Sequence, residues 1–170
     1  LPRRVFVHID LRLIDDGCRR ILCLRSNSRM RMPANKRTDA YLDVVEQAGL
    51  SALVREVEFV KPDDEKGAVV AKILDENPDI DGIFAGDDTM AVICLNVMKQ
   101  RGLSAPDDIK VVGADGARRT MTFMPDLTTV RQDIDRIGEL AAQSIIALIN
   151  GDNPESNIKL PVELIEGKTA

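Results

Sequence analysis

Short apolar runs alternate along this chain with longer stretches whose apolar residues recur at helical spacing, and that alternation calls for βα units around a parallel sheet. Residues 5 to 16 read as a first helix (Val5, Ile9, Leu11, Leu13, Ile14), closed by Gly17, and Ile21-Leu22-Cys23-Leu24 follows as a strand. After a polar loop over 25 to 33, residues 34 to 48 place Tyr41, Leu42, Val45 and Ala48 on one helical face, and Gly49 stops them. A strand at 53 to 59, a helix at 64 to 76 ended by Asn77-Pro78, and a short buried strand Gly82-Ile83-Phe84-Ala85 continue the alternation. Asp87, Asp88 and Thr89 suit the first turn of a helix over 88 to 101, in which Asp88 reads as a cap or as a site residue with equal weight. Ile109 to Gly113 is the fourth strand.

The last third is less regular. Residues 116 to 126 read as a loop with a short helix, Leu127 to Val130 as a strand, and Asp133 to Asn150 as an amphipathic helix. Pro161, inside the strand-like run Ile158 to Ile165, requires that run to bend, lie on an edge or pass between sheets.

Composition narrows the function. A chain of 170 residues with 44% apolar and 30% charged side chains is neither disordered nor fibrous, and at this size it buries about 70% of its unfolded surface. One domain or two small lobes is the expectation. A net charge of −5 repels phosphate backbones, so the chain by itself is expected not to grip nucleic acid. Cys18, Cys23 and Cys94 are odd in number, lack metal-ligand spacing and sit among apolar neighbours, as reduced thiols of a cytoplasmic protein do. No apolar run reaches the ~18 residues of a membrane span, and Leu1-Pro2-Arg3-Arg4 resembles no signal peptide. The missing initiator Met suggests a fragment.

Parallel sheets collect ligands at the carboxyl ends of their strands, a rule that selects Ser26 and Asn27, Asp87 and Asp88, and Asp115. Carboxylates there can bind metal, exchange protons or accept hydrogen bonds from hydroxyl groups. Metal wants more converging ligands than the lone His8 can supply, and a nucleophilic triad has neither its histidine nor a G-x-S-x-G turn. Phosphate loops of the G-x-G-x-x-G or Walker type are absent as well. Hydroxyl binding is the role that remains. Between residues 17 and 38 lie Arg19, Arg20, Arg25, Arg29, Arg31, Lys36 and Arg37 with no acid, which reads first as a solvated face. If Arg25, Arg29 or Arg31 turned inward, the run would instead favour an acidic or phosphorylated small molecule.

Taken in order, several segments resemble the effector-binding core of the lactose-repressor (LacI/GalR) family of bacterial transcription regulators. They are Asp16-Gly17-Cys18-Arg19-Arg20-Ile21, Lys36-Arg37-Thr38-Asp39-Ala40-Tyr41, Ile83-Phe84-Ala85-Gly86-Asp87-Asp88-Thr89-Met90-Ala91, Pro106-Asp107-Asp108-Ile109-Lys110-Val111-Val112-Gly113-Ala114-Asp115, Leu127-Thr128-Thr129-Val130 and Leu160-Pro161-Val162-Glu163-Leu164-Ile165. Each is weak alone, and the ordered set spans nearly the whole chain.

The resemblance implies a type I periplasmic-binding-protein-like fold, three layers α/β/α with a parallel sheet. In that pattern residues 20 to 131 would form one nearly complete lobe, and residues 1 to 17 and 132 to 161 would be crossing-back elements of a truncated first lobe. The helix-turn-helix headpiece would be missing. It further implies a non-enzymatic effector-binding and dimerising part of a repressor that needs no metal or cofactor, takes a sugar or sugar phosphate, and reaches operator DNA only through that headpiece. Arg37, Asp87, Asp115 and Gln132 fall on effector-contacting positions, with Phe59 and Asn27 as further candidates. Asp87 stands where Asn is usual, Ala114 where an aromatic is common and Gly167 where Arg is usual; the stacking aromatic is expected near Pro62. A periplasmic sugar receptor for transport or chemotaxis shares this fold. A phosphotransferase using Asp87 or Asp88 is the enzymatic alternative, and it would need a Mg²⁺ site that these residues do not supply.

Overall fold

A computed structural model describes residues 12–27 and 34–170. Its elements are β1 (Ile21–Asn27), α1 (Ala34–Gln47), β2 (Leu53–Glu58), α2 (Asp63–Glu76), β3 (Gly82–Ala85), α3 (Asp88–Gln100), β4 (Lys110–Asp115), α4 (Arg118–Phe123), β5 (Thr128–Gln132), α5 (Ile134–Ile149) and β6 (Val162–Ile165). Ahead of β1, residues 12–15 are helical and the turn closes at Gly17 and Cys18, which donate to Ile14 and Leu13. Val5, Ile9 and Leu11 of that expected helix, with His8, Arg29 and Arg31, lie outside the described residues.

All six strands share one sheet in the order β2-β1-β3-β4-β5-β6, parallel except for β6. The parallel sheet expected from sequence therefore ends in one antiparallel strand, and of the three outcomes open to the Pro161 run the edge is the one realised. Pro161 immediately precedes β6, where its missing N–H breaks no ladder bond.

Strand parity sorts the core into two layers. Leu22, Leu24, Ile83, Ala85 and Val111 face α2 and α3, where Val70, Leu74, Met90, Cys94 and Met98 meet them. Ile21, Cys23, Phe84, Val112, Ala114 and Val130 face the other way, against Leu13, Tyr41 and Val45. Strands buried on both faces explain why the sequence reads as short continuous apolar runs without polar alternation. Burial pushes the Cys94 thiol up to about 12, and burial together with the Asp81 carboxylate raises Cys18 to about 11. Both stay protonated at neutral pH, consistent with a packing role.

Two polar devices lock this framework. The Tyr41 hydroxyl, fully buried, donates to the Ile21 carbonyl at 2.7 Å and accepts from the Leu53 N–H at 2.9 Å, tying α1 to β1 and β2. Tyr41→Phe strands both backbone groups and is expected to lower the urea-unfolding free energy by about 2 kcal/mol; a loss below about 0.5 kcal/mol would mean that the bonds contribute little. At the other end residues 167–170 thread beneath β4 and β5, where Thr169 Oγ1 donates to the Val111 carbonyl at 2.7 Å and accepts from the Thr128 N–H at 2.9 Å. A Cβ at Gly167 would lie 2.2 Å from the Asp126 carbonyl oxygen, which accounts for glycine at this position.

Helix α5 stands apart. It has a strong apolar stripe, yet none of its residues is buried, and Ile134, Ile145, Ile146, Leu148 and Ile149 are all exposed.

Candidate effector cleft

The winding of the sheet reverses between β1 and β3, since β2 lies to one side of β1 while β3, β4 and β5 follow on the other. In such sheets the two connections leave the switch point in opposite directions and open a crevice beyond the carboxyl ends. A cleft of about 560 Å³ occupies that position, and Ser26, Phe59, Gly86, Asp87, Asp115 and Gln132 all reach it from strand ends. Strand β4 runs two residues further than the sequence suggested, to Asp115, and β5 two further, to Gln132, so each delivers its polar residue at its last position.

Gly86 fits the crossing because a Cβ there would come within 2.9 Å of the Leu24 carbonyl oxygen. Asp87, extended at the start of α3, caps that helix by accepting the Met90 N–H at 2.8 Å, and its second oxygen accepts the Ser26 hydroxyl at 3.3 Å. Asp88 is therefore not the cap. It points back into the protein, 2% exposed, and accepts the Thr129 hydroxyl at 2.5 Å and the Ala117 N–H at 2.8 Å. Burial pushes its carboxyl above the ordinary carboxylate value, against the pull of those two donors.

Arg37 enters from the first turn of α1 and is buried. Its Nη1 donates to the Gly86 carbonyl and its Nη2 to Asp115 Oδ1. Gln132 Nε2 donates to the same Asp115 oxygen at 2.7 Å. Asp115 has φ of +108°, a strained region for any residue with a Cβ, and the two donors hold its carboxylate in place. The chain then turns through Gly116 at φ +60°, where a Cβ would approach the Arg131 Cβ to 2.5 Å. Arg37, Asp87, Asp115 and Gln132 thus converge on one cleft, with Phe59 at its β2 end.

Other residues singled out in the sequence lie away from the cleft. Asn27 is the exposed last residue of β1, its carbonyl holding the Phe59 N–H at 3.0 Å, and Ser26 takes the cleft position instead. Arg25 pairs with Glu56 on the neighbouring strand, Arg20 with Asp79, and Arg19 binds backbone carbonyls. Neighbouring acids hold Arg25 and Arg20, and backbone carbonyls hold Arg19, all outside the cleft, so Arg37 is the described arginine of the basic run that lines it. Sequence reasoning also passed over Lys66, Thr89, Met90 and Ile93. The carboxyl-end rule, carried through to β2 and the helix after it, would have found Lys66.

The arrangement suits a polyhydroxylated ligand. Fixed carboxylates can accept hydrogen bonds from hydroxyl groups, Gln132 can both donate and accept, and Phe59, Met90 and Ile93 offer apolar surface to a ring face. Among the described residues no three His, Cys, Asp or Glu side chains gather as a metal site. No described helix is long and apolar enough to cross a membrane.

Comparison with known proteins finds the same fold in solved structures. The description of a periplasmic binding protein-like domain matches residues 11–170. The sucrose operon repressor of Lactococcus lactis subsp. lactis is 32% identical over 91% of this chain and 47% of its own length. The ribose operon repressor of Halalkalibacterium halodurans is 30% identical over 92% of this chain and 47% of its own. Among solved structures, the transcriptional regulator CelR in complex with cellobiose aligns at a TM-score of 0.86 and 27% identity, covering 99% of this chain and 52% of that one. A LacI-family regulator from Corynebacterium glutamicum aligns at 0.87 and 24% identity over 98% and 54%. The chain spans about half the length of the curated relatives it matches.

Proposed function

Because the chain belongs to the LacI family of transcriptional regulators, through a periplasmic-binding-protein-like domain, we propose that it is the effector-binding part of a cytoplasmic sugar-responsive repressor. The observation that carries this reading is the Arg37–Asp115–Gln132 cluster facing Asp87 across the switch-point cleft. Its role is binding, and no catalytic step is assigned to its carboxylates. The relatives named as sucrose and ribose operon repressors support a small-sugar effector, and the cellobiose complex of CelR supports a sugar in the corresponding fold.

Residues 20 to 131 are read as the second lobe, and residues 1 to 17 and 132 to 161 as elements of the first. The bare apolar stripe of α5 supports that division, since an amphipathic helix normally buries its stripe against a partner layer. Regulation would follow from differential affinity: an effector that binds one arrangement of the lobes more tightly shifts the population, and through a homodimer it changes the affinity for operator DNA. Contacts to DNA would come from segments outside these 170 residues. The chain alone is expected to give no sequence-dependent gel shift at moderate salt, consistent with its net charge of −5.

The test uses the full-length gene product, titrated calorimetrically with mono- and disaccharides and then assayed for operator binding with and without the sugar that binds. Typical coupling predicts a change in operator affinity of roughly 5- to 150-fold. Sugar binding by a protein that holds no DNA in either state would instead support an exported receptor.

A further inference from the structure

Lys66 gives the cleft a cation that the hydroxyl-binding cluster does not need. It sits on the first turn of α2, just past the carboxyl end of β2, and lines the cleft with a side chain only 13% exposed. Its ammonium lies 5.9 Å from the centre of the Phe59 ring. Its ion-pair partner is Asp63 at 3.2 Å, one turn earlier on the same helix. The two partners differ in setting: the Asp63 side chain is 68% exposed and can swing into water, whereas the lysine stem is packed into the cleft wall. An i,i+3 pair whose carboxylate stands in water is weak and readily exchanged for a better-placed anion.

Position along the sheet edge then separates charge from hydroxyl recognition. In the order β2-β1-β3-β4-β5, Phe59 and Lys66 lie at the β2 end, Asp87 follows β3, and Asp115 and Gln132 end β4 and β5. Neighbouring strands are about 4.8 Å apart, so Phe59, directly after β2, and Asp115, at the end of β4, are separated by roughly three strand spacings, and Lys66 lies against Phe59. The other cation of the cleft, Arg37, is already engaged by Asp115 and the Gly86 carbonyl. An anion repelled by Asp87 and Asp115 would thus find its favourable place at the β2 end, beside an aromatic ring.

From these observations, and resting on the sugar-binding reading above, we propose that Lys66 makes the cleft selective for a sugar bearing an anionic group, a carboxylate or a phosphate, at the end remote from Asp115. The ring of Phe59 covers the apolar face of that sugar, and the Lys66 ammonium replaces its bond to Asp63 with a charge-assisted bond to the ligand. No covalent change is involved.

The experiment is calorimetry on the full-length protein at low and at moderate salt, with matched sets of ligands: methyl glucoside, glucuronate and glucose 6-phosphate, the corresponding galactose and ribose compounds, and inorganic phosphate alone. An anionic member is expected to bind at least tenfold more tightly than its neutral parent, with the difference shrinking as salt rises. Lys66→Gln should erase most of that difference, and Lys66→Arg should restore it. The carboxylate and phosphate arms identify which anion is used. Equal affinity for neutral and anionic sugars, or a preference unchanged in Lys66→Gln, overturns the role of Lys66 and leaves the sugar-binding reading standing. Inorganic phosphate binding as tightly as the sugar phosphate overturns it too, since the site would then be a bare anion site. If no sugar of any set binds, the sugar-binding reading itself falls, and this inference with it.

Discussion

Arg37→Met is expected to weaken effector binding by about 100-fold and to destabilise the fold by about 2 kcal/mol. The guanidinium bridges two elements distant in sequence, accepted by the Gly86 carbonyl after β3 and by Asp115 at the end of β4. Removing one member of a buried ion pair costs about 3–5 kcal/mol; here the Asp115 side chain is 35% exposed and water can recover part of that. Methionine keeps most of the side-chain volume, so the loss reports the charge and its hydrogen bonds and not a cavity. Asp115 would also lose one of the two donors that hold its carboxylate while its backbone sits at φ +108°. The affinity loss corresponds to about 2.7 kcal/mol, the size of a lost charge-assisted contact to ligand together with a displaced Asp115. Calorimetric titration and urea unfolding of the full-length protein measure the two effects separately. Effector affinity within threefold of the parent would remove Arg37 from the binding site.

Asp88→Ala is expected to cost about 3 kcal/mol of stability and to loosen the Asp115 end of the cleft. The buried carboxylate is shared between the Thr129 hydroxyl on β5 and the Ala117 N–H in the turn after Asp115, so one side chain joins α3, β5 and the β4–α4 turn. Each buried donor left without a partner costs about 1–3 kcal/mol, and the shortened side chain leaves space beside Gly113, where Asp88 Oδ1 now sits too close to admit even a Cβ. Asp88→Asn is the gentler variant, because its amide can accept from Ala117 and donate to the hydroxyl oxygen of Thr129.

The pair also separates packing from titration. Burial raises the folded-state pKa of Asp88 above its ordinary value of 3.8, so the folded protein holds this proton more firmly than the unfolded chain. The stability it contributes is complete below the ordinary value and is lost as pH rises through the folded-state pKa. The advantage of the parent over Asp88→Asn should therefore shrink as pH rises from 3.8. Urea midpoints compared across that range would show it, and a difference that grows with pH would mean that the ionised form is the better accommodated one.

Much of the fold was legible in the sequence, and particular residues show why. Leu22 and Leu24 face one helix layer while Ile21 and Cys23 face the other, so both parities of β1 are apolar and the segment reads as a doubly covered strand. Asp87, Asp115 and Gln132 were selected by strand order and by resemblance, and the structure brings them to one cleft with Arg37. Of Ser26 and Asn27, both selected by the strand-end rule, Ser26 faces the cleft and Asn27 is exposed beside it. Adjacent strand residues point to opposite sides, and the last residue of a strand is where parity is least constrained by burial.

The sequence by itself determined the order of elements and the two-sided core, because hydrophobic periodicity is local and the strand and helix periods differ. It determined as well that polar residues would collect at strand ends, since a doubly covered sheet leaves them little other room. Only the tertiary structure decided which charges the cleft holds. Arg25 is neutralised by Glu56, 31 positions away, Arg37 is drawn in by Asp115, 78 positions away, and Asp88 is turned inward by Thr129, 41 positions away. Charged side chains follow their partners, and those partners become neighbours only when the strands pair.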